Sequence, residues 1–548
     1  GEVRVLNVAS TNMYFFIYLG KKEINLNGQL IEKEKVYAFT TGSSLRNQQI
    51  KPIYYSDVVS LFAEGKIHSR IVFEVKDVEY RFKNGKVGLH DIGFTEYSGR
   101  LVGIMGASGA GKSTLLNVLN GSVEPYRGTV TINGFDIHSS AKEIEGIIGF
   151  VSQDDLLIEE LTVFQNLYYN ARLCFDNFSE AELNEAVDRV LKNLGLFEIK
   201  DIQVGTPLNK KISGGQRKRL NIALELIREP GVLFLDEPTS GLSSRDSENI
   251  MDLLKELSLK GKLVFVVIHQ PSSEIFKMFD HLLILDTGGY LIYNGNPVDS
   301  IVYFKELVHQ ANWNESECQT CGNVNPEQIF NIVEASLIDE YGRPTGKRKV
   351  SPSEWNARFI ERLKGRIAPK KNHAGKDELP EISFKTPGLF KQFKIFSIRD
   401  ILKKLSDVQY LAVNFIEAPL LAFLLAYIIK YYNVDIGNEY GYTLFGNSNL
   451  PVYIFMSVVV AIFMGLTVSA EEIIKDRKIL KREAFLNLSW SGYLFSKIFV
   501  QFTLSAIQAA SFVLIGNMIM ELRGMFFIYW LVLFSAWTSA NVMGLLIS

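Results

Sequence analysis

The stretch "GASGAGKST", residues 106–114, lies between the apolar run "RLVGIM" and "LLNVLN". Gly106, Gly111, Lys112 and Ser113 fill the pattern G-x-x-x-x-G-K-[ST], with Ser108 and Gly109 inside the loop and Thr114 just beyond it. Bare glycine N–H groups can turn inward around phosphate oxygens. A helix expected from Ser113 to Asn120 aims its positive N-terminus at the same anion. Lys112 then reaches the β- and γ-phosphates, and the Ser113 hydroxyl ligates Mg²⁺. An incidental glycine-rich turn fits poorly between an apolar strand and a helix.

A second element, "GVLFLDEPTSG", puts Asp236 and Glu237 at the carboxyl end of the apolar strand Val232–Leu235. Ligands bind at that edge of a parallel sheet. Asp236 suits the Mg²⁺ shell, and Glu237 suits a general base for an attacking water. Between these elements, "ISGGQRKRLNIALELIREP" offers Ser213, Gly214, Gly215 and Gln216 at the start of another helix. That is a second phosphate-binding helix end beside the first. One nucleotide cannot readily use both on one compact domain, but a facing second copy can use the spare.

With these residues the chain resembles the ATP-binding cassette (ABC) superfamily, whose signature motif is this S-G-G-Q. The resemblance covers a cassette taken as residues 67–305, an α/β P-loop ATPase fold with a helical subdomain. It implies ATP and Mg²⁺ as ligands. It also implies Gln153, in "GFVSQDD", as the Q-loop residue that senses Mg²⁺ and contacts the membrane domain, and His269, in "VVIHQPSSEIF", as the switch histidine on the γ-phosphate. Phe82, or else Tyr80, would stack on adenine as an aromatic face can. One position departs from the family: "SGLSSRDS" has Ser243 where an aspartate is usual. Serine preserves a turn while removing a charge, which bears on how tightly two ATP sites are coupled.

The chain is long enough, at 548 residues, for three or four domains. Its 58 Lys+Arg against 60 Asp+Glu give a net charge of −2, with no basic excess of the kind nucleic acid recruits. Three cysteines cannot build a disulfide framework, which suits a reducing compartment. The chain opens at Gly1 with no basic n-region and apolar h-region, so it reads as an excerpt without a recognisable signal peptide.

Residues 1–66 alternate short aromatic and β-branched runs with turn signals, so a small β-rich module is expected. Whether it docks, regulates or merely extends the cassette stays open. Residues 155–210 switch to helical periodicity, with "SEAE" from Ser179 to Glu182 as a capping box for a helix reaching Leu194. Cys174 falls on an apolar face there, as a core residue does. Residues 306–388 read as a linker, most open at "APKKNHAGKDELP". Cys318 and Cys321, with His309 upstream, could supply half a zinc site, though two thiols in a turn is the plainer reading.

Residues 389–548 read as an α-helical transmembrane domain. "FKQFKIFSIRDILKKLSD" is a basic amphipathic helix suited to a membrane surface. Apolar segments near 408–429, 451–470, 491–519 and 525–548 are each long enough to cross a bilayer, which takes about 20 residues. Lys391, Lys394, Arg399, Lys403 and Lys404 precede the first segment, and Lys475, Arg477, Lys478, Lys481 and Arg482 separate the second from the third. Between the first and second, "YYNVDIGNEYGYTLFGNSN" has no Lys or Arg, and Arg523 stands alone in the third loop. The positive-inside rule therefore puts the cassette and the 471–489 loop, its natural contact, in the cytoplasm. Glu417 sits near the middle of the first span beside Pro419, where a charge must face protein or a water-filled path.

Cassette first and membrane domain second resembles the G-type (White and pleiotropic-drug-resistance) half-transporters. Their six spans imply that two are missing from this stretch. The resemblance implies an ATP-driven exporter half working as a dimer, with homodimer and heterodimer both open. Its partners would be a second chain, the lipid bilayer and a small or lipid-like cargo. The rival reading is a membrane-anchored, ATP-driven regulator signalling through the N-terminal module.

Overall fold

A computed structural model describes residues 2–8, 13–20, 23–26, 29–39, 43–47, 50–55, 58, 62, 71–141, 143–206, 209–310, 323–339, 341, 344–364, 379, 385–430, 449–483, 486 and 488–548. The chain divides into two compact units, Gly1–Asp155 with Gly214–Ile382, and Leu156–Ser213 with Ser383–Ser548.

The first unit begins with short strands β1 (Val3–Val8), β2 (Met13–Tyr18), β3 (Asn25–Leu26), β4 (Gln29–Leu30), β5 (Val36–Phe39), β6 (Ser44–Asn47) and β7 (Ile50–Tyr54). They form two sheets, ordered β1-β2-β5 and β4-β3-β6-β7. Strand β2 buries Tyr14, Phe16 and Tyr18, the period-two pattern of a half-buried strand. Leu259 of the cassette packs against this aromatic core.

The cassette follows with β8 (Val72–Arg81), β9 (Val87–Tyr97), β10 (Leu101–Gly106), β11 (Arg127–Ile132), β12 (Phe135–Asp136), β13 (Ile148–Val151), β14 (Val232–Asp236), β15 (Leu263–Val267), β16 (His281–Asp286) and β17 (Tyr290–Gly295). They make one sheet in the order β12-β11-β8-β9-β17-β16-β10-β15-β14-β13. Strands β10, β15, β14 and β13 run parallel. Every residue of β10 and β15 is buried, as continuous apolar runs inside a covered parallel sheet should be. Helix α1 (Lys112–Leu119) leaves β10, as its spacing predicts. This arrangement gathers the carboxyl ends of four parallel strands along one edge.

The stretch expected to be a linker is folded over much of its length. After α6 (Ser273–Met278), which precedes β16, and beyond β17 come α7 (Pro297–Leu307), α8 (Glu327–Val333), the hairpin β18 (Ser336–Ile338) and β19 (Pro344–Arg348), and α9 (Pro352–Lys364). Trp355 and Phe359, one helical turn apart on α9, are buried, and Asn356 Nδ2 donates to the Leu291 carbonyl of β17 at 2.7 Å. Arg348 pairs with the buried Asp286 at 2.6 Å. Mixed composition concealed one amphipathic face. Cys318, Cys321 and most of "APKKNHAGKDELP" lie outside the described residues; His309 follows α7 in the left-handed region, φ 51°.

The second unit joins helices α2 (Val163–Cys174) and α3 (Glu180–Asn193) to the membrane segment. Thr162 and Ser179 each close a capping box, the latter with Glu182 as its spacing predicts. Cys174 is fully buried. Helix α10 (Leu389–Ser406) leads into α11 (Val408–Ile429), α12 (Leu450–Ser469), α13 (Glu472–Glu483), α14 (Trp490–Met520) and α15 (Phe526–Ile547). Helices α11, α12, α14 and α15 have the length and hydropathy to cross a membrane.

One face of helix α10, read as amphipathic, packs against protein, while Leu389, Phe390 and Leu405 stay exposed. Its Gln392, Ile395, Phe396, Arg399 and Asp400 are buried, and Ile395 and Phe396 pack with Tyr169, Leu173, Ile479 and Tyr493. Several of the basic residues that flank the apolar segments also form ion pairs. Arg399 grips Glu483 with both terminal nitrogens, Lys403 meets Asp476 at 2.9 Å, and Lys404 meets Glu472 at 2.9 Å. Lys497 of α14 joins Asp400 at 2.5 Å and Asp476 at 2.7 Å. These partners lie on other helices, Lys404 also meeting Asp400 of α10 itself at 3.0 Å, and such charges are stable inside protein only when paired.

Candidate nucleotide site

Gly106 ends β10 and Gly111 caps α1 with a left-handed φ of 90°, so the loop between them turns back over the helix N-terminus. A Cβ at Gly106 would fall 2.5 Å from the Leu285 carbonyl oxygen, so no larger residue fits without movement there. Gly109 also has a left-handed φ, 77°, while Ser108, Gly109 and Ser113 are exposed and Thr114 is half-buried. The Lys112 ammonium, on a buried side chain, donates to the carbonyls of Gly106 at 2.8 Å and Ala107 at 3.0 Å. Burial pulls its pKa down, against the pull of Glu237 and Asp236.

Asp236 ends β14 and its Oδ1 lies 3.5 Å from the Ser113 hydroxyl. Burial raises the Asp236 pKa, opposed by the Ser113 hydroxyl and reinforced by the neighbouring Glu237. Glu237 and Gln270 stand just past β14 and the adjacent β15 with positive φ of 45° and 46°. Backbone strain in non-glycine residues clusters at functional sites. Gln153, beyond β13, donates from Nε2 to Glu237 Oε2 at 3.0 Å. Exposed His269 follows β15 and shares with Glu237 a cleft of about 740 Å³, also lined by Ser240, Gln270 and Glu327.

Thus Lys112, Ser113, Asp236, Glu237, Gln153 and His269 come from the carboxyl ends of β10, β14, β13 and β15. Ser113, Asp236 and the Gln153 side chain present hard oxygen donors, a set that fits a divalent cation of the magnesium type. Phe82, at the end of β8, is 41% exposed and meets Tyr80 edge to face at 5.2 Å, so it offers a free ring surface. Ser213 is exposed just ahead of α4 (Gly214–Leu226), and Gly214 to Gln216 form that helix's first turn.

Ser243 keeps the turn where the family has aspartate. It is the N-cap of α5 (Ser244–Leu259), accepting from the Asp246 N–H at 3.2 Å and donating to Asp246 Oδ2 at 2.8 Å. Serine is among the strongest N-cap residues. Glu417 is half-buried on α11, beside the buried stripe of Asn414, Ala418, Ala422 and Ala426.

Residues that the sequence reading missed support this edge from behind. Arg217 Nε donates to Asp155 Oδ2 at 2.9 Å, Asn221 Nδ2 to Asp155 Oδ1 at 2.9 Å, and Lys218 Nζ to the Gln153 carbonyl. The available signal was the pairing of a doubly acidic "QDD" with a basic "QRKR".

A sequence profile of the family described as ABC transporter matches residues 89–240, and profiles described as ABC-2 type transporter match 391–548 and 269–312. ABC transporter G family member 28 of Arabidopsis thaliana is 38% identical over 284 residues, 50% of this chain and 24% of that protein. The bovine (Bos taurus) broad substrate specificity ATP-binding cassette transporter ABCG2 is 40% identical over 204 residues, 37% of this chain and 30% of its own. An ABC transporter ATP-binding/permease protein of Mycobacterium tuberculosis is 29% identical over 491 residues, 89% of this chain and 51% of its own. The chain spans about a quarter of the length of the plant relative and about half of the mycobacterial one. Among the described residues four helices are long and apolar enough to cross a membrane, and with the membrane-domain match this is a multi-pass membrane protein whose nucleotide-site domain is cytoplasmic.

Proposed function

We propose that this chain is an ABC transporter of the G-type order, cassette before ABC-2 membrane domain, and that it hydrolyses ATP to export a small or lipid-like cargo. The observation that carries the reading is the convergence of Ser113 on Asp236 and Gln153 on Glu237 at one sheet edge. In this reading the N–H groups of Gly106 to Thr114 cradle the phosphates, with Lys112 on the β- and γ-oxygens and Phe82 under the adenine. Ser113, Asp236 and Gln153 would hold Mg²⁺. Bound there, the cation neutralises charge building on the phosphate oxygens. Glu237 orients and deprotonates the attacking water, and His269 holds the γ-phosphate.

Two chains face each other, and Ser213 to Gln216 of each complete the site of its partner. The support is two phosphate-suited helix ends, at α1 and α4, in a cassette with one cradle. Glu417 borders the cargo path, because a carboxylate at mid-membrane costs about 2.5–3.5 kcal/mol unless it faces protein or water. Glu417→Gln should change transport or cargo-stimulated ATPase; if it changes neither, Glu417 is off the path.

The rival reading, an ATP-driven regulator, draws on the packing of Leu259, at the end of α5, against the N-terminal module. Reconstitution in lipid vesicles separates the two. The transporter reading expects Mg²⁺-dependent ATPase that vanishes in Glu237→Gln, together with ATP-dependent movement of lipid or a hydrophobic dye. Hydrolysis with no movement of any tested cargo favours the regulator. A wild-type protein that does not hydrolyse ATP contradicts both.

A further inference from the structure

From the contacts of helix α4, we infer that Lys218 is a positioning residue that sets the catalytic Glu237 of its own chain through the Q-loop. This rests on the shared-site reading above and extends it. Lys218 is 5% exposed and donates to the backbone carbonyl of Gln153. One residue earlier, Arg217 holds Asp155 at 2.9 Å, and one turn further on Asn221 holds the other oxygen of the same carboxylate at 2.9 Å. Further along, Glu225 accepts from the Phe150 N–H of β13 at 3.3 Å. Helix α4 is thus fastened to the segment 150–155 at successive points. From that segment the Gln153 side chain reaches Glu237 at 3.0 Å.

The consequence is a link between two sites. The first turn of α4 carries Gly214 to Gln216, which would bind the partner chain's nucleotide. The second turn holds the loop that orients Glu237 on the same chain. A helix moves as a rigid body over so short a span, so occupancy of the partner's site would be felt at this chain's Glu237. Lys218 is the charged member of that link nearest to Gln153. Burial pulls its pKa down against Asp155, so its ammonium depends on these oxygen partners.

The test uses the full chain in lipid nanodiscs. Lys218→Met, which keeps length and loses the donor, should lower kcat by about tenfold to a hundredfold, the scale of a small misplacement of a reacting group. KM for ATP and the Kd for a fluorescent ATP analogue should stay within about twofold. In a Gln153→Ala background the same substitution should cost no more than about twofold, because the two act in series. A residue that merely stabilises the fold would give the full loss in both backgrounds, and that result overturns the inference. Wild-type kcat in Lys218→Met overturns it too. Should Lys218→Met fail to fold, Asp155→Asn loosens the neighbouring clamp isosterically; the expected defect is again confined to kcat, and an unchanged kcat rejects the link. These failures leave wild-type ATPase standing, whereas its absence removes the functional reading itself.

Discussion

The Gln153 amide donates to the Glu237 carboxylate at 3.0 Å, across two strands of the sheet, from a loop to a strand end. An amide donor on one oxygen leaves the other free to accept a proton from water. Glu237→Gln should therefore retain ATP binding and lose hydrolysis by about a hundredfold or more, the range of general-base removal. Phosphate release alongside retained radiolabelled nucleotide measures both. Normal turnover in the variant would assign the base elsewhere.

The pH dependence of cation binding follows from Asp236. Burial lifts its carboxyl above the ordinary 3.8, so the proton competes with Mg²⁺ at higher pH than at an exposed aspartate. The carboxylate is the binding form, so apparent Mg²⁺ affinity should fall as pH drops through this raised value. Magnesium titrations of the ATPase across a pH series should show the decline, and Asp236→Asn should remove it along with most of the affinity. A pH-independent midpoint in the wild type would exclude Asp236 from the shell.

Acid should loosen the joint between α10, α13 and α14. Burial alone would raise the Asp400 pKa, but Lys497 and Lys404 outweigh it and pull it down to about 2. A depressed folded pKa stabilises the native state above the unfolded value of 3.8, and that contribution is lost as pH falls from there toward about 2. Lys497→Met leaves Asp400 and Asp476 short of a cation and should destabilise the unit by about 3–5 kcal/mol, as breaking a buried pair does. Thermal unfolding in detergent, with Tyr493 or Trp490 fluorescence as the local reporter, reads both effects. Equal stability of Lys497→Met and wild type would show the cluster to be inert.

The phosphate loop, the Asp236–Glu237 pair and the apolar spans were legible because each lies in one contiguous run whose chemistry is local. The helix ends at Ser179 and Asn120 were legible for the same reason. Lys218 against the Gln153 carbonyl was not, since the two are 65 positions apart and the acceptor is backbone, which has no sequence mark. The ion pairs of α10 were not legible either, because Lys404 and Glu472, 68 positions apart, become neighbours only after α10 and α13 have packed. Trp355 was overlooked in a stretch whose polar majority masked one buried face. Ser243 shows the reverse: its capping role needs only Asp246 three residues on, and could have been read directly.

The central claim is that ATP is hydrolysed at sites shared by two chains, and co-assembly of two dead variants tests it most directly. Lys112→Ala removes the cradle's cation, and Ser213→Arg blocks the helix end offered to the partner. In a mixed dimer both lesions fall in one shared site and the other site is intact. Random mixing makes about half the dimers mixed, so ATPase should return to at most about a quarter of wild type where sites act independently. Where hydrolysis needs both sites, ATP-dependent crosslinking of the mixed pair should still appear. Mixed dimers with neither ATPase nor ATP-dependent crosslinking would contradict the shared site.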